Sequence, residues 1–142
     1  MKASAYRALS VAFFVAVTLG VAAQLQAQSV VRADIPFDFS LGGQVYPSGT
    51  YSFTISSDSQ SKLVLARSAD GRLGRFMMAE VDHVSGPDDP VLRFNHFGDH
   101  YLLTSLWAPD SDANLTFAPT RAERELMFGA RQQEVVTVLA RR

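Results

Sequence analysis

Cysteine is absent from all 142 residues. That excludes disulfide staples, thiolate zinc sites, cysteine nucleophiles and a lipidated N-terminal cysteine. Lysine is nearly as scarce: beyond residue 27 the chain has ten arginines and a single lysine, Lys62, against 14 acidic residues. A net negative domain of this kind argues against phosphate-backbone binding, so no nucleic-acid partner is expected. The arginines are scattered, with Arg141 and Arg142 their only adjacent pair. Composition bias therefore accounts for them without a recognition patch. Gly-x-Ser-x-Gly, Gly-x-Gly-x-x-Gly and P-loop patterns are all missing, which leaves nucleophile-elbow, dinucleotide and nucleotide readings without support. No catalytic constellation is complete, so no catalytic or cofactor-binding residue is assigned.

Long apolar runs are limited to one, and it is N-terminal. Lys2 and Arg7 precede the uncharged stretch from Ala8 to Ala23. A basic n-region, an apolar h-region and small-residue cleavage sites after Ala27 or Ala23 read as a secretory signal peptide over residues 1–27. The run is shorter than the ~18 to 20 apolar residues of a membrane span, and no basic stop-transfer flank follows it. Export to the periplasm or beyond is the expectation, with no membrane span after cleavage. Residues 28–142 are enough for one domain and too few for two.

Within that domain the patterning is β. From Val31 to Leu41 every odd residue is apolar and every even one polar or proline, the period of a half-buried strand. Pro36 cannot donate to a ladder and splits the segment or marks an edge. Gly42-Gly43 and Pro47-Ser48-Gly49 are turn signals around a short Gln44–Tyr46 strand, and Tyr51, Phe53 and Ile55 alternate in the next. Lys62 to Arg67 reads as a short buried strand, returning through Asp70-Gly71 into Arg75 to Val84. Residues 91–96 and 101–107 flank Phe97-Gly98-Asp99-His100 as a hairpin that carries much of the core. A short strand is expected near Leu115. Thr120-Arg121-Ala122-Glu123 is a capping box opening a helix over 121–128, with Ala122 and Leu126 facing the sheet. Val135 to Ala140 closes the chain as a strand. The expected fold is mainly β: a single small antiparallel sandwich or barrel of about seven to nine short strands with one helix. An outer-membrane barrel needs strands of about 9 to 11 residues, and most of these are shorter.

The ordered blocks Asp34 to Phe39 (AspIleProPheAspPhe), Gly42 to Tyr51 (GlyGly…TyrProSerGlyThrTyr), Arg93 to Trp107 and Ala122 to Glu125 (AlaGluArgGlu) resemble a family of small exported bacterial proteins. The resemblance spans nearly the whole of residues 28–142. It implies export, a compact β-rich domain and a Gram-negative envelope setting. It implies no activity and no catalytic residue.

The candidate sites are few. His96, Asp99 and His100 place three metal-ligand types within five residues and would suit zinc or copper if the hairpin converges them; otherwise Gly98-Asp99 shapes a turn between solvated histidines. Asp110, Asp112 and Asn114 have the 1, 3, 5 spacing that opens a calcium loop, but Leu115 and Arg121 stand where glycine and glutamate belong. Ser59 and Lys62 match Ser-x-x-Lys without the supporting motifs, and in a loop instead of a helix. Phe97 and Tyr101, beside the Gly98 turn, are the aromatics to watch for an exposed ligand surface. The leading expectation is an exported, non-enzymatic β-domain that binds an envelope protein or glycan, or serves as a structural envelope component. The alternative is a metal-binding protein or metal-dependent hydrolase using His96, Asp99 and His100.

Overall fold

A computed structural model describes residues 28–56, 62–109, 113–130 and 133–142. The signal-peptide reading over residues 1–27 falls outside them. The described residues form strands β1 (Ser29–Ile35), β2 (Phe39–Leu41), β3 (Gln44–Tyr46), β4 (Gly49–Ser56), β5 (Lys62–Ser68), β6 (Gly74–Asp82), β7 (Val91–Phe97), β8 (His100–Ala108), β9 (Ala113–Thr116) and β10 (Glu134–Leu139), with helix α1 (Arg121–Gly129) before β10. The expected mainly β domain with one helix is what the described residues form. Pro36 splits the first alternating segment into β1 and β2, one of the two outcomes expected of it.

Pairing runs β1-β4-β5-β6-β9-β8, with β7 and then β10 on the other edge of β8. All these pairs are antiparallel. The two ends of this path meet where Arg32 and Arg141 exchange backbone hydrogen bonds of 2.7 and 2.8 Å. Between the sandwich and the barrel allowed by the sequence, this seam makes a closed eight-stranded barrel, because closure satisfies edges that a sandwich leaves open. The β2–β3 hairpin attaches beside β8 through the parallel Ser40–Leu102 bridge. Its Gly42-Gly43 turn takes positive φ at both positions, 59° and 81°, the two-residue geometry whose twist matches a hairpin.

Inward-facing Val31, Ile35, Phe53, Ile55, Val64, Phe94, Leu103, Leu106 and Leu115 fill the interior, and Phe39, Leu41 and Tyr46 of the hairpin join them. Phe39 stacks on Tyr46 at 5.4 Å and meets Tyr51 edge-on at 5.1 Å. Burial raises the pKa of both tyrosine hydroxyls. A bulge at Arg93/Phe94 leaves Thr104 unopposed on β8, and its hydroxyl donates to the Arg93 carbonyl at 3.0 Å. On the outer side of β8, the sole tryptophan, Trp107, lies under the segment 85–90. Its Nε1 donates to the Pro87 carbonyl at 2.7 Å.

Two sequence expectations fail, and both failures concern which face is covered. α1 does not turn Ala122 and Leu126 to the sheet; both are exposed. It turns Glu123 inward instead, since that carboxylate accepts from Thr120 N at 2.7 Å and from Gly43 N at 2.8 Å, tying the helix start to the β2–β3 turn. The capping box itself forms as expected, with Thr120 Oγ1 accepting from Glu123 N. β5 is not buried on both sides: Leu63 is 40% exposed, because nothing among the described residues covers its outer face.

Candidate functional site

The β7–β8 hairpin does not gather its three metal-ligand side chains. Cross-strand partners share a face, and the register pairs His96 with Tyr101 but His100 with Phe97. His96 and His100 therefore lie on opposite faces, with Asp99 exposed in the turn between them. No group of three His, Asp or Glu side chains suited to a metal occurs among the described residues. His96 belongs instead to an aromatic stack: its ring lies 4.2 Å from Tyr101, which lies 3.9 Å from Phe37 on its other side. Its Nδ1 stands 3.8 Å from Glu134 Oε2 on β10.

That stack decides the aromatic candidates too. Tyr101 is half-buried and has both ring faces occupied, so neither is free to stack on a ligand. Phe97 is only 5% exposed. With Leu126 and Glu125 of α1 it lines an open cleft of about 780 Å³. Of the calcium-loop trio, Asp110 and Asp112 lie outside the described residues. Asn114 is on β9, its amide donating to Thr116 Oγ1 at 3.5 Å. Lys62 is half-buried on β5, while Ser59 lies outside the described residues.

The outer face of β1-β4-β5-β6 holds what the sequence reading missed. Leu63 opposes Met78 and Leu65 opposes Phe76; Phe76 and Met78 are 64% and 70% exposed. Val30 of β1 is level with Leu65 and Phe76, separated from them by Thr54 of β4. Large exposed apolar patches on a small domain mark interaction surfaces. The signal was present: Lys62 to Ala66 fails to alternate, a pattern shared by a strand covered on both faces and one with an apolar outer face.

Adjoining that patch is a row of arginines. Arg141 opposes Arg32, Arg32 opposes Ser52, and Ser52 opposes Arg67, so the three arginines and Ser52 point outward from neighbouring strands. Arg141 Nη2 pairs with Asp34 Oδ2 at 2.6 Å, and Thr50 donates to that aspartate's other oxygen. In the β5–β6 turn, the Ser68 hydroxyl and the Arg72 N–H donate to Asp70 and hold its carboxyl below the ordinary 3.8. Arg72 Nε stands 3.7 Å from the same carboxylate. An open cleft of about 560 Å³ lies between Arg32 and Arg67, with Ser52, Asp70 and Gly71 also in its lining. Comparison of the chain with protein-family models, curated proteins and solved structures returned no match.

Proposed function

We propose that the chain is exported by its N-terminal segment and that residues 28–142 form a non-enzymatic β-domain acting in the bacterial envelope by binding at its outer surface. The carrying observation is the exposed apolar area of Leu63, Phe76 and Met78 on β5 and β6. In a barrel whose interior is filled by its own side chains, a ligand meets the outside wall. Retaining Phe76 and Met78 there costs solubility unless something covers them. The basic and apolar segments of residues 1–27 support the route.

Two measurements test this reading. The full chain is expressed in a Gram-negative host, the cell is fractionated, and the N-terminus is determined. The expected product begins at Gln28 or Gln24 and resides outside the cytoplasm. A photo-crosslinking residue is then placed at position 76 or, as control, at Arg121. Adducts with an envelope component at 76 alone support the reading. A cytoplasmic, uncleaved product or the absence of any adduct specific to 76 refutes it.

A further inference from the structure

We propose that the outer face of β1-β4-β5-β6 docks on a bilayer of anionic phospholipid, with Leu63, Phe76 and Met78 entering the acyl boundary and Arg32 and Arg67 meeting lipid phosphates. The inference rests on the outer-surface binding reading above and names the partner.

The argument begins with register. Arg32, Ser52 and Arg67 form one cross-strand row. Two residues along each strand lies the row of Val30, Thr54, Leu65 and Phe76, and the next holds Ser56, Leu63 and Met78. Successive rows on one face are about 6.8 Å apart. A cationic row bordering two apolar rows on one face gives lipid phosphates and the acyl boundary each a partner on the same surface.

Charge points the same way. The two carboxylates at the cationic end, Asp34 and Asp70, each hold another arginine, Arg141 and Arg72. Arg32 and Arg67 make no ion pair with any described residue, and they form a positive island on a domain of net negative charge. The cleft between them also has Asp70 in its lining, its carboxylate engaged by Ser68 and Arg72, and the guanidinium forks of Arg32 and Arg67 suit phosphate oxygens at its mouth. Glu80 and Asp82 continue the outward row of β6 beyond Met78, and phosphate would repel them. Burying Phe76 and Met78 while keeping Glu80 and Asp82 in water requires the strands to run along the bilayer plane, with the long Arg32 and Arg67 side chains reaching back to the phosphates. A soluble phosphate would satisfy the arginines but leave Phe76 and Met78 in water; a lipid surface uses both.

Co-sedimentation of the purified protein, expressed from its full sequence, with phosphatidylglycerol-containing vesicles tests the proposal against vesicles of phosphatidylcholine alone. Binding to the anionic vesicles that weakens with salt is expected. At about 1 kcal/mol for each arginine near an anionic surface, the double change Arg32→Gln/Arg67→Gln should weaken it about thirtyfold. Phe76→Ser/Met78→Ser should weaken it at least tenfold, whereas Val135→Ser, which removes an exposed valine on β10, should change nothing. Circular dichroism confirms that each variant is folded. Absence of vesicle binding, equal binding to both lipids, or indifference to the arginine pair overturns the proposal. If vesicles fail while the crosslinker at position 76 captures a protein, the lipid assignment falls and outer-surface binding stands.

Discussion

Gly86 is the position where one added carbon should cost most. A Cβ built there would stand 2.4 Å from Cε2 of Trp107, 2.6 Å from Cζ2 and 2.7 Å from Cδ2. Carbon atoms rest about 3.5 to 4.0 Å apart, so Gly86→Ala requires a relative shift of about 1 Å or more. The ring cannot simply swing aside. Trp107 is only 4% exposed, and its Nε1 is held by the Pro87 carbonyl, the residue next to the glycine. Moving the ring strains the packing of β8, while lifting segment 85–90 exposes the indole and breaks that hydrogen bond. Overpacking costs about 1 to 3 kcal/mol, and an unmade buried hydrogen bond costs a comparable amount. For a domain of this size Tm should fall about 4 °C for each kcal/mol, hence by about 4 to 12 °C. Trp107 is the only tryptophan, so its emission should shift to the red in the folded state of the variant. Trp107→Phe in the same background should recover much of the loss, because the smaller ring vacates the contested space, and the two changes should be non-additive. An unchanged Tm with unchanged emission would refute the contact between segment 85–90 and the indole.

Other perturbations probe other joints. Glu123→Ala leaves Thr120 N and Gly43 N without their acceptor and should cost about 2 to 3 kcal/mol in urea unfolding, with Glu123→Gln costing less. Deleting Arg141 and Arg142 removes the closing bridge and the Asp34 pair; amide exchange at Arg32 should accelerate while exchange in β8 keeps the global rate. Acidification should loosen the β5–β6 turn. Asp70 has a folded pKa below 3.8, so its stabilising bonds are complete above that unfolded value and are lost as pH falls through the folded one. Faster exchange at Arg72 N below about pH 4, abolished in Ser68→Ala/Asp70→Ala, is the expected readout. With His96 and His100 on opposite faces, zinc or copper added after chelation should leave Tm within about 1 °C, and His96→Ala should leave metal affinity unchanged.

Strand positions were largely legible because alternation is a local property. Val31 to Leu41, Tyr51 to Ile55 and the hairpin around Gly98 each carried their period and their turn residues within a dozen positions. Pro36, Gly42-Gly43 and the Thr120–Glu123 box act through backbone chemistry that needs no distant partner. Closure was not legible, since nothing near Arg32 or Arg141 says that residues 109 apart in sequence will share two hydrogen bonds. The face of α1 was misread for a related reason. A period count assigns the inward face to apolar residues, but Glu123 is worth more inside because two backbone N–H groups from different elements converge on it.

The same limit governed the surface proposed to bind. Arg32, Arg67 and Arg141 are as scattered in sequence as arginines can be, and their scatter argued for composition bias. Antiparallel pairing of β1 with β4, β4 with β5, and the single Arg32–Arg141 bridge turns that scatter into one row. Alternation fixes which side of its own strand a residue faces, yet which strands become neighbours is set by packing of the whole interior. Non-alternating apolar residues in a strand of a small barrel are ambiguous in the same way. Val64 and Ala66 fill the core, while Leu63 and Leu65, with Phe76 and Met78 across the ladder, form the outer area bordering the arginines. The apolar half of the proposed membrane-facing surface was therefore written in the sequence as an anomaly of pattern, the arginine half was not, and only the pairing of strands joins them.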